Sequence, residues 1–142
     1  MLRAEFPDAA EQSSAALLAA YESLLTATIE TAGVDAVAAQ TGLDRDVIEA
    51  IADGEAADVT LADAAAVLAI DPDRPDAGAI EAEARDILLM GMTTAVMDVE
   101  SLASGIDSEL DPKEIQQKIE GRYPVTLAEY ARLHQYIESQ QQ

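Results

Sequence analysis

The tetrapeptide Val-Thr-Leu-Ala occurs twice in the chain, as Val59–Ala62 and Val125–Ala128, each time shortly after a glycine, Gly54 or Gly121. A threonine ahead of an apolar run reads as a helix N-cap, because its hydroxyl accepts a backbone N–H that the first helical turn leaves unpaired. A duplicated cap implies duplicated helices, and the flanking residues agree. Val34, Val37 and Ala38 match Val99, Leu102 and Ala103, while Leu43-Asp44 and Ile48 match Leu110-Asp111 and Ile115. The pattern is one long helix and three short ones, twice over. The expected fold is all-α, with about eight helices in two tandem units packed together.

In the first unit the long helix is expected over Ser14 to Ala32. Leu17, Leu18, Tyr21, Leu24, Leu25 and Ile29 recur on one face, and Gly33 stops the helix. Short helices follow over Val34–Gln40, between Asp44 and Gly54, and over Leu61–Ile70, with Thr60 and Asp63 at capping-box spacing. The second long helix is expected over Ala77 to Met97, apolar at Ile80, Ala84, Ile87, Leu88, Met92, Ala95 and Val96. Val99–Ser104 follows, then a helix capped by Asp111 with Pro112 at its first position. The last helix is capped by Thr126 with Glu129 and turns Leu127, Tyr130, Leu133 and Ile137 inward. Residues 1–12 read as an N-terminal extension, 13–70 as the first unit, 71–76 as a connector rich in Pro and Asp, and 77–142 as the second unit. Leu89, Met90 and Met97 lie off the main stripe of their helix. Packing of the two units on each other is expected to cover them, which makes Met90 a core residue and the protein a monomer. A homodimer is the alternative.

Hydrophobic residues make up 49% of the chain but aromatics only 4%, so the core is expected to be built of Ala, Leu, Ile and Val. The 28 acidic residues outnumber 8 basic ones, giving a net charge of −20. They are spread along the chain and do not form a tail. Self-repulsion at that level destabilises a compact state in dilute buffer, whereas molar salt cuts the Debye length to about 3 Å. The composition therefore reads as that of a salt-adapted protein, and acidity of this origin is weak evidence against nucleic-acid binding. Absence of cysteine excludes disulfides and thiolate metal sites. Met1 to Ser14 lacks the apolar run of a signal peptide, and nothing approaches the roughly 20 apolar residues of a membrane span. A cytoplasmic location, away from membranes, is expected.

Residues Val37-Ala38-Ala39-Gln40-Thr41-Gly42-Leu43, with Ile48 and Gly54 beyond, carry an inward pair, a turn glycine, an inward isoleucine and a closing glycine. This spacing resembles the helix-turn-helix of the lambda-repressor and Cro superfamily, over about Thr31 to Ile70. The resemblance implies a second helix laid in the DNA major groove while the first crosses the backbone. The second copy resembles it more loosely, with two extra residues between Leu102-Ala103 and Ile115. The whole chain is also similar to a small uncharacterised family of acidic proteins from halophilic archaea, which implies no activity.

The groove-facing residues separate the two copies. The first presents Asp44, Arg45, Asp46, Glu49 and Ala50, and three carboxylates facing phosphates make a poor DNA surface. The second presents Lys113, Gln116, Gln117 and Lys118, followed by Arg122 and Tyr123, and holds both lysines of the protein. Glutamine pairs with adenine edges, lysine and arginine with guanine or phosphate. Lys113, Gln116, Gln117, Lys118 and Arg122 are thus the candidate contacts to double-stranded DNA for a regulator or nucleoid-associated protein. The competing reading is a solvated helix face whose lysines pair with neighbouring glutamates, in a protein–protein adaptor.

Nothing in the chain reads as catalytic, and no cofactor or metal is expected. His134 is the only histidine, one residue after the inward Leu133, and is expected at the surface or its boundary. Asp71, Asp73 and Asp76 have the look of a calcium loop, but Pro75 and Asp76 stand at its fifth and sixth positions, where the sixth requires glycine.

Overall fold

The computed structural model describes residues 9–106 and 109–141. Among them, a 3-10 turn at Ala9–Glu11 leads into eight helices: α1 (Ser14–Ala32), α2 (Val34–Thr41), α3 (Arg45–Ala52), α4 (Leu61–Leu68), α5 (Ala77–Thr94), α6 (Val99–Gly105), α7 (Pro112–Glu120) and α8 (Leu127–Ser139). The expected all-α architecture is what is observed, with no strand beyond one isolated bridge among the described residues.

Side-chain caps set most helix starts. Ser13, Thr60, Asp76, Asp98, Asp111 and Thr126 each accept the amide three residues on. The full reciprocal capping box forms at α8, where Glu129 also accepts the Thr126 amide at 2.9 Å. At α4 only the Thr60 half forms, since Asp63 is one methylene shorter than the box needs. Asp44 precedes α3 in extended backbone, but its side chain accepts no cap bond.

The α5 helix ends at Thr94, three residues before the expected Met97. Val96 adopts the left-handed conformation, at φ 53°. The Met97 amide then reaches the Met92 carbonyl at 2.9 Å, and the Val96 amide reaches Thr93 at 3.1 Å. These two bonds define a Schellman termination, with valine where glycine is usual. Met97 folds back onto the core and Asp98 is freed to cap α6. The sequence carries no Gly or Pro at this point to mark the stop.

The duplicated tetrapeptides meet each other. The Leu61 amide donates to the Val125 carbonyl and the Leu127 amide to the Val59 carbonyl, both at 2.8 Å, an antiparallel bridge centred on Thr60 and Thr126. Around it the helices pack reciprocally: α1 lies on α8, and α4 lies on α5. Each long helix therefore packs on the last helix of the other half as well as on its own. The core is continuous across this arrangement, from Leu17, Tyr21, Leu25 and Ile29 on α1 to Tyr130, Leu133 and Ile137 on α8.

Burial follows the helical stripes with three corrections. Val96, placed on the apolar stripe of the second long helix, is 92% exposed, because α5 ends before it and the turn sets it outward. His134, expected at the surface, is only 3% exposed. Leu89 and Met90, expected beneath the other unit, remain 44% and 52% exposed. The α4 and α8 helices cover the Ile80, Ala84, Ile87, Leu88 and Met92 side of α5 and stop short of the opposite side. Met90 is therefore no core residue, and a charge there meets solvent.

Candidate interaction surfaces

The α7 helix buries Ile115 and Ile119 against α5 and α6 and turns Lys113, Glu114, Gln116 and Glu120 outward. Its candidate DNA contacts divide by what already holds them. Lys118 is half-buried, its side chain 17% exposed, and Nζ donates to both Glu129 oxygens at 2.9 and 3.0 Å and to the Pro124 carbonyl at 3.2 Å. Glu129 is in turn fixed by the α8 capping box. Burial raises the Glu129 pKa, but the Thr126 amide and the Lys118 ammonium outweigh it, so the carboxyl sits below its ordinary value. Lys118 thus fastens α7 to the start of α8. Gln116 donates to Glu120 at 3.1 Å, and exposed Arg122 pairs with the same glutamate at 3.4 Å. Lys113 is exposed and Gln117 half-buried on this face.

Sequence reasoning missed Arg85. Its guanidinium reaches across from α5 to the Lys118 carbonyl and, at 3.5 Å, to that of Ile119, while pairing with Glu81 at 3.0 Å. A cation on the last carbonyls of a helix offsets their partial negative charge. Gly121 closes α7 in the left-handed region, and a Cβ there would come 3.2 Å from Arg85 Nε. The i,i+4 pair Glu81–Arg85 was legible, but the partner 33 residues away was not.

On the first half the α3 face is acidic as expected. Arg45 pairs with Asp35 and Glu49, leaving Asp44 and Asp46 outward.

A polar cluster joins α1 to α8 inside the core. Tyr21 Oη and His134 Nδ1 lie 2.6 Å apart, with the rings stacked, and His134 Nε2 faces Glu138 at 3.7 Å. Tyr130 packs on both rings and donates to the Ala84 carbonyl at 2.8 Å. Burial, with Tyr130 and Glu138 adding to it, pushes the Tyr21 phenol well above its ordinary pKa. The order hydroxyl–imidazole–carboxylate would suit an activated nucleophile, but Tyr21 is fully buried and admits no substrate. The cluster is a buried tie between two helices.

Two of the surface concavities among the described residues lie along α1 and at the end of α5. One of about 430 Å³ sits between α1 and the connector, among Leu24, Thr28, Thr31, Ile70, Pro72 and Arg74, with Asp71 3.7 Å from the arginine. The other, about 590 Å³, is an open cleft bounded by Leu89, Met92, Thr93, Val96, Met97 and Asp98. Leu89, Met90 and Val96, with Val96 92% exposed, are three of the exposed large apolar side chains among the described residues. They cluster at one end of α5. No group of three or more potential metal ligands occurs among the described residues, and no single described helix is long and apolar enough to cross a membrane.

A family model described as a family of unknown function, DUF5791, matches residues 17–140. No curated protein and no solved structure matches the chain.

Proposed function

Because the chain belongs to DUF5791, whose function is unknown, we propose a function from its surface alone: a non-catalytic protein-interaction module built on two helix-turn-helix-like units. The observation that carries this reading is the commitment of Lys118, one of the two α7 cations, to the fold. Lys118 is held by Glu129 and Pro124, and Arg122 shares Glu120 with Gln116. DNA contact through Lys118 would have to break a half-buried ion pair and strip the brace between α7 and α8. Among the five candidate contacts, Lys113 is the one cation that no intramolecular ion pair described above engages. One phosphate contact contributes a salt slope of only about −0.9, and molar salt leaves little of that. The apolar end of α5 supplies the alternative surface, since clustered exposed apolar side chains mark contact sites for other proteins.

The test is selection of random duplex DNA in molar KCl, with the wild type and a Lys113→Ala, Gln116→Ala, Gln117→Ala variant that spares the structural Lys118. Neither protein should enrich a motif. A motif enriched by the wild type and lost in the variant would restore the regulator reading, with α7 as its reading head.

A further inference from the structure

The uncovered side of α5 repeats at the spacing of a helix-packing seam: Ala82, Asp86, Leu89 with Met90, and Thr93, continued past the helix end by Val96. We propose that this seam docks a second copy of the same chain, α5 against α5, antiparallel about a two-fold axis near Leu89 and Met90. The inference deepens the interaction-module reading and rests on it.

Charge singles out a second copy. Ile87–Met97 is the longest uncharged run in the sequence, in a chain of net charge −20. Two such chains repel wherever their acidic coats meet, and this run lets them approach without setting carboxylate on carboxylate. The register favours the antiparallel arrangement. With the axis between positions 89 and 90, Asp86 of one copy lies opposite uncharged Thr93 of the other, and Leu89 opposite Met90. A parallel pairing would put Asp86 on Asp86. An antiparallel pair of identical helices about a two-fold axis is isologous and so closes a dimer.

The threonines fit the same picture. Thr93 and Thr94 donate their hydroxyls back to the Leu89 and Met90 carbonyls at 3.1 and 3.0 Å, so their donors are satisfied within α5 and need no partner. Val96 is an independent sign. A β-branched residue in the left-handed region is strained, and at 92% exposure its side chain gains almost no packing within the monomer. Retaining valine where glycine would be cheaper is accounted for by a contact outside the chain. A seam one helix long falls short of the roughly 800 Å² per partner of a standard interface and belongs with weak, transient contacts.

The experiment is sedimentation of the full chain in molar KCl across about 1–500 μM, a range that brackets micromolar dissociation constants. The wild type should show a monomer–dimer equilibrium. Met90→Glu should keep its helicity and weaken association by about 100-fold or more, since the axis brings two copies of the lost side chain together. The chain has no cysteine, so Asp86→Cys and Thr93→Cys proteins, made separately and mixed, should cross-link to each other and far less to themselves. That pairing decides the matter even if Met90→Glu misfolds. A wild type monomeric at every concentration overturns the proposal. A dimer indifferent to Met90→Glu, or an Asp86→Cys and Thr93→Cys mixture that does not cross-link, overturns it too. A monomer that captures a different protein through Leu89 and Met90 would overturn self-association while leaving the interaction module standing.

Discussion

Replacing Val96 by glycine should make the monomer more stable, although valine to glycine in ordered backbone usually does the reverse. Left-handed backbone costs an L-residue roughly 1–2 kcal/mol. Valine's β-branch places it at the upper end of that range. Glycine escapes this cost but brings about 0.5–1 kcal/mol of additional unfolded-state entropy. The side chain is 92% exposed, so almost no burial is lost. The Schellman bonds from Met97 to Met92 and from Val96 to Thr93 use backbone atoms alone and persist. The balance favours Val96→Gly by about 1–1.5 kcal/mol, a rise of roughly 2–6 °C in a domain of this size. Val96→Ala keeps a Cβ in the left-handed region but loses the β-branch, so it should recover part of that gain. Urea and thermal unfolding followed by circular dichroism, in molar KCl and at low protein concentration, would measure all three. A lower midpoint for Val96→Gly at unchanged m-value would refute the reasoning, because valine would then be making stabilising contacts that its exposure denies. Under the dimer proposal the same substitution weakens association, so stability and self-association should move in opposite directions.

Other expectations follow from packing and charge. Gly91→Ala would bring a Cβ to 2.7 Å from Ile137 Cγ2; overpacking costs roughly 1–3 kcal/mol against about 1 kcal/mol of gained helix propensity, so a lower unfolding midpoint is expected. Tyr21→Phe removes the bond to His134 at 2.6 Å and should cost about 1–3 kcal/mol in chemical denaturation, because the imidazole stays buried. Glu129 has a lowered folded-state pKa, so its contribution is present above its unfolded value of 4.5 and is lost as pH falls through the folded one. Glu129→Gln should therefore flatten the acid limb of a stability-against-pH curve. With a net charge of −20, the wild type should melt at a higher temperature in molar KCl than in dilute buffer, as the Debye length falls from about 10 Å at 0.1 M to about 3 Å; an unchanged midpoint would remove the salt-adaptation reading.

Local signals were legible in the sequence, and pairings across the chain were not. The bounds of α1 and the Thr126–Glu129 box could be read because each depends on residues within a turn of one another. The repeat of Val-Thr-Leu-Ala was visible, but its two copies bonding to each other was not, because nothing local specifies what an exposed cap strand will meet. His134 follows an inward leucine and so reads as outward. Its burial depends on Tyr21, 113 residues earlier. The end of α5 was misplaced because a Schellman stop is usually announced by glycine, and here valine holds the position. On α7 the sequence correctly flagged the one helix with both lysines. Charge counting treats every lysine as available, and only the fold reveals that Lys118 is spent on Glu129.

The most direct measurement of where this protein makes its contacts is a residue-resolved amide NMR titration in molar KCl, first against its own concentration and then against duplex DNA. Raising the protein concentration should shift amides from Ala82 to Met97 and leave α7 still, and DNA should shift nothing. Shifts at Lys113, Gln116 and Gln117 on adding DNA, with α5 silent at every protein concentration, would contradict both the exclusion of DNA from α7 and the assignment of α5 to the interface.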